Sequence, residues 1–292
     1  MEKNWILVDT PKKIKLAIDN FENTSVLSID TEYDSFRYFR EILCLIQIHA
    51  NETTYIFDPL GKLNLSFLGK FFNDETIVKV LHAADNDIRL LKRDYPFDFQ
   101  NIFDTHRAAF ILGLHQLSLE KMISHFLGVE LKKSKKMQRS RWDKRPLTDE
   151  QLLYAMQDVA FLPALYEEQL RQLRVKDMEE TAKDAFAKIA AATWQEKTID
   201  RRGHTKIAGY YSLNQEQKDL LKKLYVWRFR QAKSQNCAIF MFWPDKNLLE
   251  LAQDHNNLQE YLSQEKVKLY GAEIEQIIKE HLKKSWPLQT HV

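Results

Sequence analysis

Apolar positions fall in short continuous runs in the first third of the chain and at helical spacing after it. SVLSID (25–30), ILCLIQIH (42–49) and TYIFDPL (54–60) are apolar, rich in β-branched residues and set apart by polar residues such as Asn51-Glu52. Runs of this length with polar breaks predict a meander of three strands. TIVKVLHAA (76–84) predicts a fourth, buried strand. The period then changes. DNDIRLLKRDY (85–95) puts Ile88 and Leu91 on one side with Leu90 beside them, which predicts a helix. Asp104-Thr105 can cap a helix that starts near His106, and Ser118 one over 118–127 that Gly128 stops.

Thr148-Asp149-Glu150 opens a further helix that runs to about Leu173. Leu152, Leu153, Met156, Val159, Leu162, Leu165 and Leu170 form its apolar face, and Pro163 inside it predicts a kink. From about residue 176 the chain is helical and charged, and Arg201-Arg202-Gly203 marks a break. A long amphipathic helix over 213–236 and shorter ones follow, with no strand pattern. The expected architecture is an α/β domain and then a small all-helical domain, with the boundary between about 175 and 210.

Composition narrows the class. The 292 residues are 44% hydrophobic and 29% charged, as in a soluble globular protein with a sizeable core. Cys44 and Cys237 each stand alone, so neither a disulfide framework nor a zinc site is indicated. MEKNWILVDTPKK lacks the apolar stretch of a secretion signal, and no apolar run approaches a membrane span. A cytoplasmic protein with no membrane partner is expected. Residues 181–292 carry 18 Lys and Arg against 13 Asp and Glu, so residues 1–180 carry 25 against 28. Within that acidic part, KKSKKMQRSRWDKR (132–145) has eight basic residues and one acid. A polyanionic partner would suit this distribution, as would a merely solvated loop.

Candidate chemistry begins where the first run ends, at Asp30-Thr31-Glu32. Alternation along a strand puts Asp30 and Glu32 on one face and Thr31 on the other. Two carboxylates on one face repel unless a cation lies between them or one takes a proton. Hard divalent cations such as Mg²⁺ accept such oxygens. Tyr154 and Asp158, four apart on a helix, would present a phenol beside a carboxylate. LHAADNDI (81–88) runs from a strand into a helix start that bears Asp85 and Asp87, and either acid could serve there as a simple cap.

Together these segments resemble the DEDDy-type 3′–5′ exonucleases, and the chain resembles a ribonuclease D over nearly its whole length. IDTEYDSFRYFREILCLIQI is similar to the first exonuclease motif and VLHAADNDIRLL to the second, which puts the family aspartate at Asp87 rather than Asp85. FDTHRAAFILG matches the segment that follows, and KSKKMQRSRWDKRPLTDEQLLYAMQDVAFLPALY the third motif, with its W-x-x-R-P-L and Y-x-x-x-D. LKKLYVWRFRQAKSQNCAIFMFWPDKNLLELAQ resembles an HRDC module. The family's more familiar bacterial members carry two such units; after residue 210 this chain has room for one.

The resemblance implies a ribonuclease H-like, DnaQ-type α/β fold with a mixed sheet over 1–175, a helical linker over 176–210 and an HRDC domain over 211–292. It implies a catalytic set of Asp30, Glu32, Asp87, Tyr154 and Asp158. The four acids would hold two divalent ions, Mg²⁺ or Mn²⁺, and Tyr154 would orient the attacking water. The implied partner is RNA, at tRNA precursors or other structured 3′ ends. A DNA exonuclease or a non-catalytic scaffold that binds nucleic acid are the alternatives. Nucleic-acid contacts are expected from Lys132, Lys133, Lys135, Lys136, Arg139 and Arg141. Trp142 could stack on a base or pack beside Pro146, and Tyr33 could stack on the terminal nucleotide or pack in the core. Lys222, Lys223, Arg228 and Arg230 of the helical module would add backbone affinity, and Leu224 and Trp227 read as core. His82 reads as a core or supporting histidine, and Asp34 is expected to be solvated.

Overall fold

Six strands make one mixed sheet in the order β1-β4-β3-β2-β5-β6. They are β1 (Trp5–Val8), β2 (Val26–Asp34), β3 (Ile42–Ala50), β4 (Thr53–Phe57), β5 (Val78–Leu81) and β6 (Ile102–Asp104). The computed structural model describes residues 4–131, 135–254 and 258–285. The expected meander β2-β3-β4 is antiparallel, and β1, β5 and β6 add in parallel at its sides. β1 and β6 went unread in the sequence. WILV and IFD are too short to show a period, and pairing partners rather than local pattern make them strands.

Helices cover both faces. α1 (Pro11–Phe21) starts from a Thr10 cap with Pro11 in its first turn, and Phe21 meets Tyr55 edge-on at 5.3 Å. α2 (Leu68–Phe72) and α3 (Asp85–Asp94) add Phe71, Phe72, Ile88 and Leu91 to the same core. On β3, Ile46 and Ile48 enter that core while Cys44 and Leu45 enter another beneath α7. α4 (Thr105–Ile111), α5 (Leu119–Leu127) and the short α6 (Lys135–Gln138) precede α7 (Asp149–Ala160). Ser118 sits at the start of α5 without a side-chain cap bond, and Gly128 ends it at φ 67°, a left-handed conformation that glycine adopts without strain.

The long helix expected over 148–173 is two. α7 ends at Ala160 and α8 (Leu162–Val175) starts with Pro163 in its first turn, where the missing N–H has no helical partner to lose. Proline here starts a helix rather than kinking one. α9 (Glu179–Ala190) packs on β6, α3 and α4. The chain therefore divides at 195/196, inside the stretch expected to be a linker, and α9 belongs wholly to the first unit.

The second unit comprises residues 196–292 together with 35–41, the connection between β2 and β3. Two 3₁₀ turns lead into α10 (Gln215–Ser234), α11 (Ile239–Phe242), α12 (Asp245–Gln253), α13 (Leu258–Tyr261) and α14 (Gln264–Ser285). Leu224, Trp227, Phe242 and Trp243 centre its core. Phe39 belongs to it as well, edge-on to Phe229 at 5.1 Å. Among the described residues this unit holds no strand.

Candidate active site

The site grows out of a pairing mismatch in the sheet. β2 pairs with β5 only over Val26–Ser28, because β5 ends at Leu81 and the chain turns into α3. Asp30 and Glu32 lie beyond that pairing, held on their other edge opposite Gln47 and Leu45 of β3. The carboxyl end of β2 is thus open on one side, where side chains can gather around a ligand. The pleat shifts by a bulge between Glu32 and Tyr33.

α7 brings the remaining groups. It lies across β2, β3 and β4, and a reciprocal Thr148–Gln151 capping box fixes its start. Tyr154 and Asp158, one turn apart, both reach a cavity of about 690 Å³. Asp30, Thr31, Glu32, His82, Ala83, Ser118, Glu120 and Gln138 also line it. Asp30, Glu32 and Asp158 can each offer a carboxylate oxygen to one point, with the three oxygens within 4.8 Å of one another. Three hard, anionic oxygens at that spacing suit a divalent cation. Without a cation such crowding is unfavourable, so the donor set fits the metal that the sequence implies.

Asp87 stands apart from that trio. It is half-buried in the first turn of α3, and the Thr31 hydroxyl donates to its carboxylate. Thr31 therefore does not simply turn away from the site as strand alternation suggests: it tethers the fourth acid. Burial, then the Asp30 charge, pushes the Asp87 carboxyl well above the usual carboxylate range. The turn that presents α3 is itself anchored. Ala83 sits at φ 59°, a costly conformation for a residue with a Cβ, and buried Asp104 accepts the Ala84 N–H at 2.7 Å and the Arg107 N–H at 2.7 Å.

Tyr154 is 8% exposed. Burial first, then the Glu32 and Asp30 charges, raises its phenol far above its ordinary range, and Gln138 hydrogen-bonds it. The phenol stays protonated at neutral pH. His82 lines the cavity, and its Nδ1 lies 2.8 Å from the Thr105 hydroxyl. That hydroxyl donates to the Leu81 carbonyl at 3.1 Å, so Nδ1 carries the proton between them.

Several expected contacts come out differently. Trp142 is 1% exposed, packed among Cys44, Leu45, Ile56, Leu152 and Tyr154, and cannot stack on a base. Tyr33 packs against the sheet core with the Arg93 guanidinium 5.9 Å over its ring. Its phenol has no hydrogen-bond partner among the described residues. Asp34 is 3% exposed rather than solvated. Arg228 is buried, bonded to the Trp243 carbonyl and paired with Asp245, and is not a phosphate contact. Lys222, Lys223 and Arg230 do line one groove of the second unit. Arg141 is paired with Asp143 on two oxygens, and Arg139 is exposed. Lys132 and Lys133 lie outside the described residues, as do the side chains of Lys135 and Lys136. Gln138 and Glu120 went unread, and Ser118 was read only as a helix cap, because all three reach the cavity through tertiary folding.

A model of the 3′–5′ exonuclease family matches residues 5–174. The chain belongs to this family. An HRDC domain model matches residues 217–278, so the family's exonuclease domain is followed here by a single such module over the matched range. The exosome complex exonuclease RRP6 of Saccharomyces cerevisiae is 32% identical over 247 residues, which cover 77% of this chain and 33% of that protein. The chain thus spans about a third of the length of this curated relative. Its fold matches the catalytic core of RRP6 from Trypanosoma brucei with a TM-score of 0.89 at 23% identity, over 97% of this chain and 80% of that one. Escherichia coli RNase D, an exoribonuclease involved in structured RNA processing, matches with a TM-score of 0.71 at 22% identity, over 98% and 77%. Exonucleases of this family use two divalent metal ions, and the acidic cluster of Asp30, Glu32 and Asp158 is placed to receive them.

Proposed function

We propose that this chain is a metal-dependent 3′–5′ exoribonuclease that releases nucleoside 5′-monophosphates from RNA 3′ ends. The observation that carries the reading is the meeting of Asp30, Glu32 and Asp158 in one cavity with the Tyr154 phenol. Structured RNA, tRNA precursors included, is the substrate class we infer, and the likeness to an exoribonuclease that processes structured RNA supports it. Two lone, unbridged cysteines suit work in the cytoplasm. Among the described residues no helix is long and apolar enough to cross a membrane.

When bound, the two divalent ions supply the charge that acidifies the attacking water and steadies the leaving oxygen. The chain's residues do the rest. Asp30, Glu32 and Asp158 would hold the ions. Asp87, tethered by Thr31 at the start of α3, would add a fourth carboxylate for the second ion. Tyr154 keeps its proton, so it serves as a fixed hydrogen-bonding group that orients the water and not as the base. The cavity beside these carboxylates leaves room for phosphate oxygens of the substrate. No side chain needs to attack phosphorus.

The test is degradation of 3′-labelled single-stranded RNA and DNA of matched sequence with Mg²⁺ or Mn²⁺. Loss of label from RNA as a nucleoside 5′-monophosphate is expected. RNA that stays intact beside folded protein sinks the reading, and faster loss from DNA replaces RNA with DNA as the substrate. Discrimination between them rests on contacts to the 2′-hydroxyl.

A further inference from the structure

One short stretch flanks Tyr154 on two sides. Gln138 hydrogen-bonds its phenol, and the Trp142 ring centre lies 6.0 Å from its own, tilted by 46°. From Arg139 to Leu147 this stretch is neither helix nor strand. An irregular segment keeps one conformation only where its backbone groups are tied to something rigid.

The tie is Arg145. Its Nε and Nη2 bond the two oxygens of Asp58 at 2.5 and 2.6 Å. Nη1 donates to the Trp142 carbonyl at 2.7 Å and the Lys144 carbonyl at 2.8 Å. Nη2 also donates to the Cys44 carbonyl at 2.9 Å. A guanidinium has five N–H donors, and here every one has an acceptor. Cys44 lies in β3, and Asp58 follows the last residue of β4. One side chain therefore joins two strands of the sheet to the two carbonyls that set where Trp142 sits. At the other end Gln151, already in the α7 capping box, donates to Ser140 Oγ at 2.9 Å.

We infer that Arg145 and Asp58 are positioning residues for Tyr154: through Trp142 they hold the phenol at the angle at which it orients the water. This rests on the proposed nuclease activity and deepens it. Neither residue lines the catalytic cavity, so substrate and metal affinity should not depend on them directly. Lysine at 145 would keep the charge but offers one nitrogen, which cannot span Asp58 and three carbonyls.

The experiment is steady-state hydrolysis of 3′-labelled RNA with Mn²⁺, with kcat and KM resolved. Arg145→Lys should lower kcat by about tenfold or more while KM stays within about twofold, because a misplaced orienting group slows chemistry without loosening binding. In a Tyr154→Phe background the same substitution should lower kcat by less than about twofold, since the group it positions is already gone. A purely structural role would give equal losses in both backgrounds, and that outcome overturns the inference. So does a rise in KM at unchanged kcat, or no change at all. Asp58→Asn keeps the side-chain shape and removes the charge; it reads the same quantity if thermal melting shows that Arg145→Lys has not folded. A wild-type chain that leaves every substrate intact overturns the nuclease reading and this inference with it. An active wild type with unaffected variants overturns this inference alone.

Discussion

At the scale of single residues, the acids of the site differ in what fixes them, and so in what their loss should do. Asp30 offers an oxygen to the shared point from a strand held on its β3 edge. Asp30→Asn keeps the shape and removes the charge, so hydrolysis should fall to background while RNA binding, followed by filter retention or anisotropy, persists. Asp158→Ala should weaken Mn²⁺ binding in calorimetry with α7 still folded, because the site loses one of three converging oxygens. Thr31 lines the cavity and also tethers Asp87. Thr31→Val keeps the strand and removes the donor, and supporting bonds of this kind are worth about 10–100-fold in metal affinity or activity. Strand alternation read Asp30 and Glu32 correctly, since a period of two is a local property. The Thr31–Asp87 bond spans 56 positions, which no local pattern reports.

At the scale of elements, the strands and helices that carry the site were legible because each has its period and its stop signals in place. The splitting of α7 from α8 was not: Pro163 reads alike as a kink or as a first-turn residue, and packing decides. Nor was the burial of Trp142, whose surroundings come from β3, β4 and α7. Trp142→Ala should destabilise the first unit by about 3–5 kcal/mol in denaturant unfolding, as for other large buried aromatics. β5 holds a second feature hidden from the sequence. Lys79 is fully buried, with its Nζ on the Asp74 and Ile77 carbonyls at 2.5 and 2.7 Å. Burial brings its ammonium down to about 8 from its ordinary 10.5. Below pH 8 the folded chain carries a desolvated charge, and the unfolded chain carries the same charge in water. Between pH 8 and 10.5 only the unfolded chain keeps the proton, so folding stability from this group rises with pH across that window. The rise should be at most about 3 kcal/mol. It should vanish in Lys79→Met, as followed by urea midpoints at pH 7 and 10.

At the scale of the molecule, two cores fold around different anchors, and one anchor of the helical core is far from it in sequence. Phe39 is 5% exposed in that core, and the Lys197 ammonium donates to its carbonyl at 2.7 Å. The Arg40 N–H donates to the Asn236 side-chain oxygen at 2.7 Å, and the Ala238 N–H to the Arg37 carbonyl at 2.9 Å. Phe39→Ala should therefore destabilise the helical unit by about 3–5 kcal/mol, seen as a lower first transition in calorimetry with the sheet unit's transition in place. Nothing local betrays this role, because FRYFRE reads as an ordinary polar-aromatic connection between two strands.

That connection changes what counts as a movable part. The polypeptide passes from one unit to the other three times, after Asp34, after Glu41 and after Gln195, and not once at a single joint. A graft that exchanges residues 196–292 for the helical module of another nuclease would keep Ser35–Glu41 from the old chain and seat them in a core they were not shaped for. Compatible exchange has to carry both pieces together. The second piece hangs directly from the strand that bears Asp30 and Glu32, so recombination between relatives at the obvious junction should yield few working hybrids, and those that work should have matched residues at 36–39.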